Sequence, residues 1–395
     1  MSEKMATTNK LFGGTMMSPI VDPYSVYKRL RDDHPAIPVN TIMGINYMIT
    51  RYDDVTTILK DGKTYSSHAN ARGIGMVMGR TILEMEGKEH VRHRSIITPF
   101  FGPRAMKAEM PEVVSGIINR MIDDIAAAGH ADLVQQFTFT FPMRIMASII
   151  GIPVDDYHAF HRMALDLISV GDDPARGFQA AQDLVGYLSP LMAARQAEPR
   201  SDLLSKLVHA EVDGVRLTDE EVLGFLRLLL PAGAETTYRL TGSCLYALLT
   251  HPAVLEEVRA DRSTIDLLIQ ETLRWESPVQ FVSREPTEDV EFSGHPVPAG
   301  ALLSVVVGSA NRDERRYTDP DRFDLHRKND DHLAFGFGAH FCAGMHLALL
   351  ETRTAINALL DRLPNLRLDP AEESTVVGLA FRSPNRLPAL FDAGH

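Results

Sequence analysis

The stretch FGFGAHFCAG, Phe335 to Gly344, carries one of only two cysteines in a chain of 395 residues. Three glycines, three phenylalanines and a histidine crowd around Cys342. A lone cysteine most often packs as a small hydrophobe, but a space-filling thiol needs no glycines around it. Glycine lets backbone pass close to a flat partner, and backbone N–H groups near a sulfur favour the thiolate. A dinucleotide-binding loop does not fit, because GFGAHF lacks the third glycine of GxGxxG. A thiolate ligand to haem iron uses all of these features.

Working outward, the rest of the chain narrows the class. The hydrophobic fraction is 45% with a single tryptophan, ordinary for a globular protein with a large core. A formal net charge of −12 disfavours nonspecific binding to nucleic acid or to anionic membranes. Cys244 and Cys342 lie far apart and make no CxxC, so neither a zinc site nor a disulfide framework is indicated, and a reducing cytoplasm is expected. MSEKMATTNKLFGG lacks an apolar signal-peptide region, and no stretch approaches the ~20 apolar residues of a membrane span.

Length alone does not decide between one domain and two. No repeat, low-complexity tract or long linker divides the chain, so a single domain over residues 1–395 is expected, mainly α with a small β region. Helical patterning covers Met110–Ala128 and Ser201–Glu211. The strongest signal opens at Thr218, where Thr218 and Glu221 read as a capping box, and closes at His251-Pro252. The intervening ~30 residues are apolar on most sides, which predicts a helix crossing the core. Strands are expected at Asn46–Thr50, Val290–Phe292 and Leu302–Val307. Met76 and Met78 are expected in a flexible loop, and Cys244 in the core.

Three further motifs stand out. Glu271 and Arg274 lie three apart, on one helix face, and can pair. The same spacing at Glu89–Arg92 and Glu256–Arg259 reads as a solvated surface pair. AGAETT, Ala232 to Thr237, puts a helix-weakening glycine and a charge, Glu235, into an apolar run. A hydroxyl and a carboxyl side by side, Thr236 and Glu235, can hold water and relay protons. Pro231, just before, removes an N–H and is expected to kink the helix.

FGFGAHFCAG resembles the haem-binding loop of the cytochrome P450 family, with Phe335, Gly338, His340, Cys342 and Gly344 on the motif positions. The resemblance runs from about Val21 to Phe391 and is most specific between Thr218 and Gly344. It implies the P450 fold, haem b with Cys342 on the iron, and Glu235 and Thr236 in proton delivery. His90 and Arg94 in HVRHR, Arg284 in FVSREP, and His340 are implied as holders of the haem propionates, whose burial needs cationic partners. Glu271–Arg274 is implied as a structural pair, with Arg322 of the PDRF stretch as its third member.

The implied activity is that of a monooxygenase placing one atom of O2 in a hydrophobic small molecule. Electrons would come from NAD(P)H through separate partners, a ferredoxin and its reductase or a flavodoxin-type donor, since the chain carries no fused reductase. A peroxide-driven enzyme and a non-catalytic haem sensor or carrier are the alternatives. Apolar segments around Ile82–Leu83, Val279, Phe281–Val282 and Leu379–Phe381 resemble substrate-contact regions, with Gln280, Arg72 and Arg80 as candidate polar anchors. Lys88 to Lys107 holds five cations against Glu89, and Arg92, Arg104 and Lys107 are expected to dock the electron donor.

Overall fold

The computed structural model describes residues 6–41, 44–153, 157–328 and 331–393. Its axis is the helix Asp219–Thr250, 32 residues long. Thr218 caps it as expected: the Thr218 Oγ1 accepts from the Glu221 N–H at 3.3 Å, and Glu221 Oε2 accepts from the Thr218 N–H at 2.7 Å. Asp219, Glu220 and Glu221 fill the first turn, where the helix dipole favours carboxylates. The helix is buried on nearly every side and packs on the helices Phe141–Ile150, Tyr157–Ile168, Ile265–Trp275 and Met345–Arg362. Helix runs unbroken through Pro231, so the proline does not end the element. Gly233 has its own packing reason, because a Cβ there would collide with the Met146 side chain.

The β region is larger than the sequence suggested. One sheet of six strands runs in the order Ala6–Thr7, Ala36–Thr41, Gly44–Ile49, Leu302–Val305, Val282–Pro286, Tyr65–Ser66. Leu302–Val305 is parallel to Gly44–Ile49 and antiparallel to Val282–Pro286, with Leu303 opposite Arg284. Val290–Phe292, expected as a strand, pairs with His295–Val297 in a separate hairpin.

Two local expectations are corrected. Met76 and Met78 lie on a short helix, Gly75–Met78, with Met78 buried and Met76 exposed: one turn exposes one methionine and buries the other. The Ser201–Glu211 helix contracts to Leu203–Val208, because Asp202 caps it by accepting from the Ser205 N–H at 2.8 Å and Glu211 enters a hairpin. Cys244 is fully buried, and burial pushes its thiol up to about 12, as befits a packed thiol.

Candidate active site

The cysteine loop is built from below. Glu271 and Arg274 are completely buried and joined by two hydrogen bonds of 2.8 Å. Arg274 also donates to the carbonyls of Asn311 at 3.0 Å and Pro320 at 2.9 Å. Asn311 Oδ1 accepts from the Leu333 N–H at 2.8 Å, which ties this cluster to the approach of the loop. The third member is not Arg322. That side chain is 69% exposed and pairs with Asp324, while Arg327 reaches Glu271 Oε1 at 3.2 Å. Arg322 contributes only its carbonyl, accepting from Arg327 at 3.1 Å. The resemblance pointed at the nearer arginine; the turn aims the later one inward.

Within the loop, Gly338 has φ +74 and sits where a Cβ would lie 2.7 Å from the Leu59 carbonyl oxygen, so any larger residue would push the loop off the helix Tyr52–Lys60. The Cys342 N–H donates to the Phe335 carbonyl at 2.9 Å, closing the loop on itself. Backbone N–H groups of Gly344 and Met345 point at the sulfur. The sulfur is accessible, yet enough protein surrounds it that burial pushes the thiol up; the two N–H groups and the charge of Arg94 pull the other way.

The four expected cations gather on one side of this loop. The rings of His90 and His340 meet at a tilt of 35°, with centroids 4.3 Å apart. A cavity of about 630 Å³ is lined by His90, Arg284 and His340 together with Ser67, Glu86 and Lys88. Arg284 is buried and donates to the Ser283 carbonyl at 2.7 Å. Arg94 turns toward the cysteine loop, where it donates to the carbonyls of Ala339, at 3.2 Å, and Phe341. His90 is 3% exposed, and among the described residues its Nε2 has no partner. Burial, reinforced by Arg284, His90 and Arg94, holds His340 well below its ordinary value, at about 3. Such a cluster of two guanidiniums, two crowded imidazoles and one orphaned imidazole nitrogen fits an anionic group of haem size, whose charge would favour protonating the rings, and the sulfur fits its iron.

On the central helix the acid and the hydroxyl part company. Thr236 is half-buried, and its hydroxyl donates to the Ala232 carbonyl at 2.8 Å. Glu235 is 1% exposed and held by two side chains: Arg239 donates to Oε2 at 3.2 Å, and His161 Nε2 lies 3.2 Å from Oε1. Arg239 was legible as an i+4 partner. His161, from the helix Tyr157–Ile168, had no local signal.

The expected polar anchors are all engaged elsewhere. Arg72 pairs with Glu285 and with the Gly300 carbonyl, and Arg80 with Glu89 at 2.6 Å. Gln280 is fully buried and donates to the Ser277 carbonyl at 2.7 Å, so it serves the fold. Among the docking cations, Arg92 is bonded to Asp213, while Arg104 and Lys107 are exposed.

The comparisons agree with this architecture. Residues 154–375 match the family model described as Cytochrome P450. The cytochrome P450 monooxygenase PikC of Streptomyces venezuelae is 38% identical over 358 residues, 88% of this chain and 85% of that protein. The structure of CYP109Q5 from Chondromyces apiculatus superposes with a TM-score of 0.84 at 33% identity, covering 94% of this chain and 96% of that one. P450BioI, solved with a hexadecenoyl acyl carrier protein, gives 0.85 at 30% identity, covering 94% and 99%. The fold and the relatives define a haem-thiolate monooxygenase acting on small organic substrates. The chain belongs to the cytochrome P450 family. No helix among the described residues is long and apolar enough to cross a membrane.

Proposed function

We propose that Cys342 ligates the haem iron and that His90, Arg94, Arg284 and His340 neutralise the propionates. The observation that carries this reading is the convergence of the four side chains on the loop that presents Cys342 between two backbone N–H donors. When bound, the haem supplies reductive activation of O2. The two N–H groups and Arg94 favour the charged form of the sulfur against the burial that raises its pKa, and bound iron would take it as thiolate. Glu235 and Thr236 pass on the protons that leave with the second oxygen atom as water; a buried carboxyl and a hydroxyl one residue apart suit that task. Electrons come from NAD(P)H in the cytoplasm through a ferredoxin and its reductase or a flavodoxin-type donor. With Arg92 bonded to Asp213, the docking charges are Arg104 and Lys107, next to the helix whose Arg94 touches the cysteine loop.

The substrate is a hydrophobic small molecule, consistent with apolar Ile82, Leu83, Phe281 and Leu379 and with the loss of Arg72, Arg80 and Gln280 as anchors. The test is a compound library scanned for the Soret shift of substrate binding, followed by turnover of each hit with NAD(P)H and redox partners. Product under those conditions is expected. Product with peroxide alone would favour the peroxide-driven alternative, and none under either condition a sensor or carrier.

A further inference from the structure

We infer that His161 is the proton donor to Glu235, so that the relay begins on the Tyr157–Ile168 helix, outside the AGAETT motif; this rests on the proton-delivery reading above. Glu235 is buried and must draw its proton from a neighbour. Its two side-chain partners are not equivalent. Arg239 keeps its charge at every working pH and cannot give up a proton, and it is further held by Ser383 Oγ at 3.2 Å. His161 Nε2, 3.2 Å from Glu235 Oε1, belongs to the partner whose ring can both take up and release a proton.

The ring is fixed for this contact. His161 stacks on Phe139 with centroids 4.1 Å apart, and Phe139 meets Tyr238 edge-on at 5.2 Å, so the imidazole is sandwiched against the central helix. Of the charged groups on its helix, Asp166 pairs with Arg176 of the Pro174–Ala197 helix, at 2.7 Å. The Phe141–Ile150 helix brings Arg144, and the Pro174–Ala197 helix brings Tyr187, which packs on Phe160. In the step itself the His161 Nε2–H bond breaks and the Glu235 Oε1–H bond forms. The imidazole left neutral keeps its Nδ1–H and is recharged at Nε2 by a proton from solvent, once Glu235 has passed its own proton toward Thr236. Nothing is oxidised or reduced.

His161→Gln keeps a neutral hydrogen-bond donor but cannot carry a proton, and His161→Phe keeps the stack on Phe139. Both should retain the CO band and substrate affinity while product formation falls roughly tenfold or more, reducing equivalents going to peroxide. A second readout is independent of turnover: the infrared C=O stretch of protonated Glu235, identified by its absence in Glu235→Gln. Without the neighbouring cation that band should be stronger at pH 7 in His161→Gln than in the wild type. Wild-type coupling in His161→Gln, or an unchanged carboxyl band from pH 6 to 8, would overturn the assignment and leave His161 as a packing residue. Absence of the CO band in the wild type would instead overturn the haem-thiolate reading.

Discussion

Two buried glutamates on two helices of the same core, Glu271 and Glu235, each pair with an arginine one turn along, at i+3 and i+4. Their surroundings divide them. Glu271 accepts from Arg274 twice, from Arg327 and from the Asp324 N–H at 2.9 Å, donors that never lose their protons near neutral pH. Glu235 has one such donor and one imidazole. A saturated carboxylate is a clamp; one that shares an edge with a titratable ring can exchange a proton. The kind of partner decides the job.

The largest effect tests the clamp. Glu271→Gln leaves Arg274 charged, buried and uncompensated, which should cost roughly 3–5 kcal/mol in urea unfolding. Glu235→Gln should cost less than half as much, because Arg239 keeps Ser383 and stands nearer solvent. Equal losses would erase the distinction. Next, Arg327→Ala should cost about 1.5–3 kcal/mol for its charged hydrogen bonds, and Arg322→Ala less than ~0.5 kcal/mol. The reverse order would restore Arg322 to the cluster.

That reversal shows where the sequence is legible. The central helix could be read almost to the residue, because its caps and apolar run are local. Val290–Phe292 was legible for the same reason. The Cys342 loop declared itself through its glycines. Arg327, His161 and the engagement of Arg72, Arg80 and Gln280 were not legible, since each depends on a partner brought in by the fold across the chain. Most strands of the six-stranded sheet were missed because pieces as short as Tyr65–Ser66 carry no period of their own.

A smaller effect is expected with pH. His332 Nδ1 accepts from the Ala334 N–H at 3.3 Å and its Nε2 faces Gln270 Oε1 at 2.8 Å, a neutral tautomer. Burial, the largest cause, holds its pKa at about 4, against about 6.5 in an unfolded chain. Between these values the unfolded chain takes up a proton that the fold refuses, so the stability present above pH ~6.5 is lost as pH falls. His332→Asn should therefore lose less stability than wild type from pH 7 to pH 5 in urea unfolding. Parallel losses would show that other groups set the slope.

The smallest effect belongs to the surface. Arg104→Glu with Lys107→Glu should slow first-electron transfer from an acidic ferredoxin several-fold at low salt, more than Arg92→Glu, and the rates should converge as salt rises. Stopped-flow reduction at two ionic strengths measures this. A larger effect from Arg92→Glu would mean that its bond to Asp213 yields to the partner.

The central claim is the thiolate at Cys342, and the reduced CO complex tests it most directly. Wild-type protein should carry b-type haem and show the strongly red-shifted Soret band of thiolate ligation. Cys342→His should abolish that band even where haem stays bound. The same band in Cys342→His as in the wild type would contradict the assignment.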